Sequence, residues 1–267
     1  MVVTPPAGLD RLSEELVATA RTLGGYLADR EVRFLALLAA CPTADGDILE
    51  IGAFQGKSTV VLSRAAALDG DGRVVAVDPF VQWRSDGPRT SRADLQANLE
   101  RCGVAGSVEF HQTYAAELAK TWARRLRLLW IDGDHAYAAA KSDLALFTPF
   151  LADGAIVAMH DVLTRTDGPL RVFLEDVLLS EHFGACGLCG SIAWAQFCAG
   201  RDTALAHRWR KLDLYRRLSR LVPHVALGVK RKTRLGKLRY KLLRWRVPHA
   251  DVDPAGWSSA VADRRAK

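Results

Sequence analysis

Between Asp47 and Asp161 the chain alternates short apolar runs with helical stretches, and most of the runs stop at a polar residue. The runs cover 48–51, 73–77, 108–111, 126–131 and 155–158, and helical patterns fill 57–68, 91–101, 115–124 and 138–150. Runs this short, rich in Val, Ile and Leu and bounded by turn residues, read as strands buried on both faces. Strands alternating with helices predict βαβ units, and therefore an α/β fold with a doubly wound, mostly parallel sheet. In such a sheet a ligand sits outside the carboxyl ends of the strands. Glu50, Asp78, Asp132, Asp134, His135, His160 and Asp161 are thus expected to face one crevice.

The flanks read differently. Residues 1–46 form an N-terminal helical segment, with apolar positions at three-four spacing over 9–40 and a break at Gly24-Gly25. The α/β domain is expected over 47–200, closing with a β-hairpin that holds Cys186, Cys189 and Cys198. A zinc site there lacks a second Cys-x-x-Cys, so buried cysteines are the favoured reading. No apolar run is long enough to span a bilayer. Asp10, Glu14 and Glu15 precede any signal-like apolar stretch, and the five cysteines are scattered; both point to the cytoplasm.

The first βα turn reads Glu50-Ile51-Gly52-Ala53-Phe54-Gln55-Gly56-Lys57-Ser58. Its glycines suit a tight turn close to a ligand, but Phe54 stands where a pyrophosphate-binding loop has its middle glycine, which favours a ligand without phosphates. The second strand ends at Asp78, where a carboxylate can accept hydrogen bonds from both hydroxyls of a ribose. The segments ILEIGAFQGKST, VVAVDPF and LLWIDGDHAYAAAKSDLALFTPFLADGAIVAMHDV together resemble the class I S-adenosylmethionine-dependent methyltransferases, in particular a branch of small-molecule and sugar O-methyltransferases that includes macrolide-sugar and cephalosporin-pathway enzymes. The resemblance implies a Rossmann-like methyltransferase fold, with Glu50, Gly52, Gly56 and Ser58 at the amino-acid end of S-adenosylmethionine, Asp78 on its ribose, and Thr113 and Tyr114 near its adenine. Ala155, where relatives carry a second glycine, and Tyr114, in place of a small polar residue, depart from the pattern.

Methyl transfer to a hydroxyl needs a positioned acceptor and a destination for its proton. The resemblance implies Asp132 and Asp161 as ligands of a divalent cation such as Mg²⁺, with His135 as general base. His160 stands where relatives have a further acid, so it becomes a third metal-ligand candidate, a softer ion becomes an option, and a metal-free site stays open. Capping or surface solvation is the alternative for Asp134 and Asp143, and is favoured for Asp143; for Trp83 it is a loop anchor rather than a substrate platform.

Charge is uneven along the chain. Residues 201–250 carry 16 Lys/Arg against 2 Asp/Glu, whereas residues 1–200 are net acidic. Two basic amphipathic helices are expected there, striped by Trp209, Leu212, Tyr215, Leu218 and Val222 and by Leu235, Leu238, Leu242 and Trp245, with Pro223 between them and Pro248 at the end. Such a segment suits an anionic membrane surface at the inner face, or packing on its own domain or on a second subunit in a homo-oligomer. Nucleic acid is a third, disfavoured partner, and residues 251–267 are expected to be a disordered tail. The leading expectation is O-methylation of a sugar, another polyhydroxylated small molecule or a glycan; a ribose-methylating RNA enzyme and a non-catalytic protein retaining the fold are the alternatives.

Overall fold

Side chains along each central strand alternate between two apolar cores. Leu49, Ile51, Val75, Leu129 and Ile131 enter one, while Ile48, Val74, Leu128 and Trp130 enter the other. A sheet apolar on both faces must be covered on both. The computed structural model describes residues 4–70, 73–81, 91–164, 166–227 and 233–262. In chain order its principal elements are α1 (Leu9–Ala20), α2 (Asp29–Ala40), β1 (Asp47–Ile51), α3 (Lys57–Ala66), β2 (Val74–Val77), α4 (Arg92–Arg101), β3 (Val108–His111), α5 (Ala115–Ala119), β4 (Leu126–Ile131), α6 (Tyr137–Phe147), β5 (Leu151–Met159), α7 (Gly168–Val172), β6 (Phe183–Cys189), β7 (Ile192–Phe197), α8 (Arg201–Ala206), α9 (Arg208–Leu218), α10 (Val222–Ala226), α11 (Arg234–Trp245) and α12 (Pro254–Ala262).

The sheet order is β3-β2-β1-β4-β5-β7-β6. β1 to β5 are parallel, and only β7 runs against its neighbours β5 and β6. The order reverses between β1 and β4, and at such a switch point the two crossovers leave in opposite directions and open a crevice at the carboxyl ends. α2, α3 and α12 cover one face of the sheet; α6, α7, α9 and α11 cover the other.

Three sequence expectations change. β5 begins at Leu151, ahead of the expected 155, because Gly154 at φ +95° accommodates an irregularity in its pairing with β4. Pro223 does not divide the basic helices; it sits in the first turn of α10, where its missing N–H is not needed. Residues 254–262, expected in a disordered tail, form α12, whose Trp257 is only 2% exposed and packs on Trp194 with ring centroids 6.2 Å apart. The paired cysteines behave as strand geometry requires. Residues three apart point to opposite faces, so Cys186 enters one core and Cys189 the other.

Candidate active site

One half of the crevice is built on β1. Gly52, at φ +92°, ends the strand, and a Cβ there would lie 2.3 Å from the backbone oxygen of Asp132. Only glycine lets the ends of β1 and β4 approach so closely. Glu50 is fully buried, and its Oε2 accepts a 2.5 Å hydrogen bond from Thr59 at the start of α3. Ser58 adds a second hydroxyl, yet burial dominates and pushes the Glu50 carboxyl up to about 8. Among the described residues Oε1 of Glu50 has no partner. At the end of β2 the two oxygens of Asp78 accept backbone N–H groups from Phe54 (2.8 Å) and Phe80 (2.7 Å). Both donors have positive φ, an uncommon conformation for a bulky side chain that turns the loops inward onto the carboxylate. Each Asp78 oxygen keeps a lone pair for a further donor. Gly56 begins α3, and Thr113 and exposed Tyr114 follow β3.

The other half is built on β4 and β5. His135 Nε2 lies 3.4 Å from Asp161 Oδ2 and 3.6 Å from Asp132 Oδ1. Burial opposes charge on this imidazole, but the nearby carboxylates of Asp132 and Asp161 outweigh it and raise its pKa. Burial raises the pKa of Asp161. For Asp132 burial acts in the same direction, but His160 above all, with nearby His135, prevails and holds it low. Asp161 adopts φ +59°, a left-handed conformation that Asp tolerates better than most residues. Gly168 at the start of α7 backs the His135 peptide, since a Cβ there would meet the His135 carbonyl at 2.2 Å.

One ligand atom each from Asp132, His135 and Asp161 lie within 4.8 Å of one another, a donor set able to hold a divalent cation. His160 is not part of that group. It is buried, with Nδ1 3.1 Å from Asp132 and Nε2 3.5 Å from Glu31. Both ring nitrogens are therefore engaged inside the protein, and these carboxylates raise its pKa well above the ordinary value in spite of burial. Its position is that of a buried cation supporting Asp132, and His135 takes the place expected for it among the ligand candidates.

Two neighbours were not anticipated from the sequence. Glu31 reaches the site from α2, and the signal for it was an acid on the helical face that carries Leu35 and Leu38. Asp143, expected to be solvated, is partly buried under Gly133, and burial, assisted by Asp134, pushes its carboxyl up to about 7. Asp134 accepts the Ala136 N–H and shapes the turn into α6. Trp83 lies outside the described residues.

Residues 49–162 match a sequence family described as "Methyltransferase domain". This span contains β1 to β5 almost whole and every crevice residue from Glu50 to Asp161. Over this span the chain is similar to a methyltransferase domain. Solved structures agree with that in fold. Cofactor-bound Rv0187 from MTB is 23% identical with a TM-score of 0.51, over 71% of this chain and 89% of that one. An O-methyltransferase from Bacillus cereus in complex with SAH is 19% identical at 0.50, over 73% and 93%. The O-methyltransferase NovP is 15% identical at 0.55, over 71% and 98%. The α/β domain thus has the Rossmann-like fold that class I S-adenosylmethionine-dependent methyltransferases share, and these identities single out no particular branch.

Proposed function

We propose that this methyltransferase domain transfers a methyl group from S-adenosylmethionine to a hydroxyl of a sugar, another polyhydroxylated small molecule or a glycan, with His135 receiving the hydroxyl proton. The observation that carries the reading is the placement of His135 Nε2 between Asp161 and Asp132 at the carboxyl ends of β4 and β5, across the switch point from Glu50 and Gly52. The cofactor half fits its ligand: an orphaned Glu50 oxygen can meet the amino-acid ammonium, and Asp78, fixed by Phe54 and Phe80, can take the ribose hydroxyls. Gly52, Gly56 and Ser58 shape the turn between them, with Thr113 and Tyr114 toward the adenine. S-adenosylmethionine supplies an electrophilic methyl on sulfur. His135 takes the proton as the acceptor oxygen forms its bond to the methyl carbon and the carbon–sulfur bond breaks, its electron pair returning to sulfur to leave a neutral thioether; Asp132 and Asp161 stabilise the resulting imidazolium.

A second reading is favoured by the gathering of three ligand atoms. Asp132, His135 and Asp161 would hold a divalent cation, which would lower the pKa of the acceptor hydroxyl. Chelation separates the two. Turnover that survives EDTA assigns deprotonation to His135 alone; turnover lost and restored by Mg²⁺ or Mn²⁺ assigns the three side chains to an ion. The acceptor class is tested by incubating the enzyme with methyl-labelled S-adenosylmethionine and fractionated extract of its native host. Label in a small molecule or glycan supports the proposal, and label in RNA contradicts it.

A further inference from the structure

Helix α11 has two opposed faces. One is docked: Gly236 and Tyr240 are buried, and the Tyr240 hydroxyl donates to the Leu163 carbonyl at 2.9 Å, in the turn that follows Asp161. The other is apolar and faces solvent. Leu235, Leu238, Leu242 and Trp245 are 74%, 55%, 55% and 79% exposed. At the helical repeat they share an arc of about 80°, with Tyr240 on the far side. Arg234, Arg239 and Lys241 border the stripe and exposed Lys237 lies further round, the helix holds no Asp or Glu, and among the described residues none of its cations makes an ion pair. The stripe is therefore not used to pack α11 on its own domain.

Charge decides what covers it. A second copy of the chain would set one strongly cationic segment against another, 16 Lys/Arg to 2 Asp/Glu on each side of the contact. Nucleic acid would satisfy the cations, but three leucines have nothing to gain from phosphates and little from base edges. An anionic bilayer satisfies both: Leu and Trp enter the boundary between headgroups and acyl chains, and Lys and Arg stay among the lipid phosphates. We propose that α11 is an interfacial helix that seats the protein on an anionic lipid surface. Through Tyr240 the same helix braces the turn after Asp161, so the docked helix is tied directly to that end of the sheet. The proposal does not depend on the identity of the acceptor or on catalysis.

The test is sedimentation of the full-length protein with sucrose-loaded vesicles of phosphatidylcholine, with and without phosphatidylglycerol, across a salt series. The wild type should pellet with the phosphatidylglycerol vesicles, stay in solution with phosphatidylcholine alone, and bind less as salt rises. The double variant Leu238→Ser/Trp245→Ser keeps every charge and should bind at least ~10-fold more weakly. Lys237→Glu/Lys241→Glu keeps the stripe and should lose a similar factor. All four side chains are exposed, so circular dichroism and the thermal midpoint should not change; a variant that lowers the midpoint is replaced by the corresponding single substitution. Wild type that remains in the supernatant with phosphatidylglycerol overturns the proposal, as does undiminished binding by the Leu238→Ser/Trp245→Ser protein. A concentration-dependent dimer abolished by Leu238→Ser/Trp245→Ser, or an RNA gel shift that this variant removes, assigns the face to another occupant and also overturns it.

Discussion

Glu31 and His160, 129 positions apart in the sequence, face each other at 3.5 Å inside the protein. Glu31 also accepts the backbone N–H groups of Ala28 and Ser191, at 2.8 and 2.5 Å. One carboxylate thereby ties the start of α2, the end of β5 and the β6–β7 turn together. Burial works against its charge, but His160 holds its pKa low. The helical segment preceding the matched domain is thus part of the support for Asp132, because His160 stands between the two acids. Replacing Glu31 with Ala would leave a buried imidazolium short of one counter-charge and should cost about 3–5 kcal/mol of folding stability. Denaturant midpoints at neutral pH measure this; a loss below about 1 kcal/mol would show that the pair is not coupled.

In the proposed reaction, turnover depends on His135. His135→Ala should lower methyl transfer by about 10²- to 10⁴-fold while binding of S-adenosylhomocysteine stays nearly unchanged, since the proposed cofactor contacts lie on β1 and β2. Parallel turnover assays and calorimetry read the two effects separately. Retained activity removes His135 from the proposed chemistry, and lost cofactor binding reduces it to a structural role.

Asp143 predicts a pH dependence of stability. Its carboxyl is raised to about 7 by burial and by Asp134, whereas an unfolded chain loses this proton near 3.9. Between those values the folded state keeps a proton that the unfolded state has released. Stability attributable to this residue therefore falls as pH rises from about 4 to about 7, and the deficit is constant above. Asp143→Asn removes the titration. The variant should match the wild type near pH 4 and exceed it by about 2 kcal/mol at pH 8, a figure reduced for partial exposure. Urea midpoints across that range give the comparison, and a pH-independent difference would contradict the burial argument.

How much of this was legible in the sequence follows from where each signal lies. Buried parallel strands leave a local mark, a short aliphatic run stopped by a polar residue, so Glu50, Asp78, Asp132 and Asp161 could be placed at strand ends one by one. Their common crevice then followed from topology. Glu31 could not be read in this way, since its partner is 129 residues distant and only tertiary packing joins them. His160 is compatible by residue type and position with either ligation or burial, and its contacts with Glu31 and Asp132 favour burial. α12 was missed because a short run of small residues has no strong period of its own, and its partner Trp194 belongs to β7.

That contact makes α12 structural. Trp257 fills the core beneath Trp194 and is almost entirely shielded from water. Trp257→Ala should reduce stability by about 3–5 kcal/mol through lost transfer energy and the cavity left behind. Differential scanning calorimetry checks it; an unchanged midpoint would mean that α12 does not stay docked in solution.

The account rests on the carboxyl ends of β1, β2, β4 and β5 forming one site for a sulfonium donor and a hydroxyl. Isothermal titration of the purified protein with S-adenosylmethionine tests this most directly. One equivalent should bind to the wild type, and Asp78→Ala, which removes two charge-assisted acceptors, should weaken binding at least ~10-fold. No uptake by folded wild-type protein, or uptake indifferent to Asp78, would contradict it.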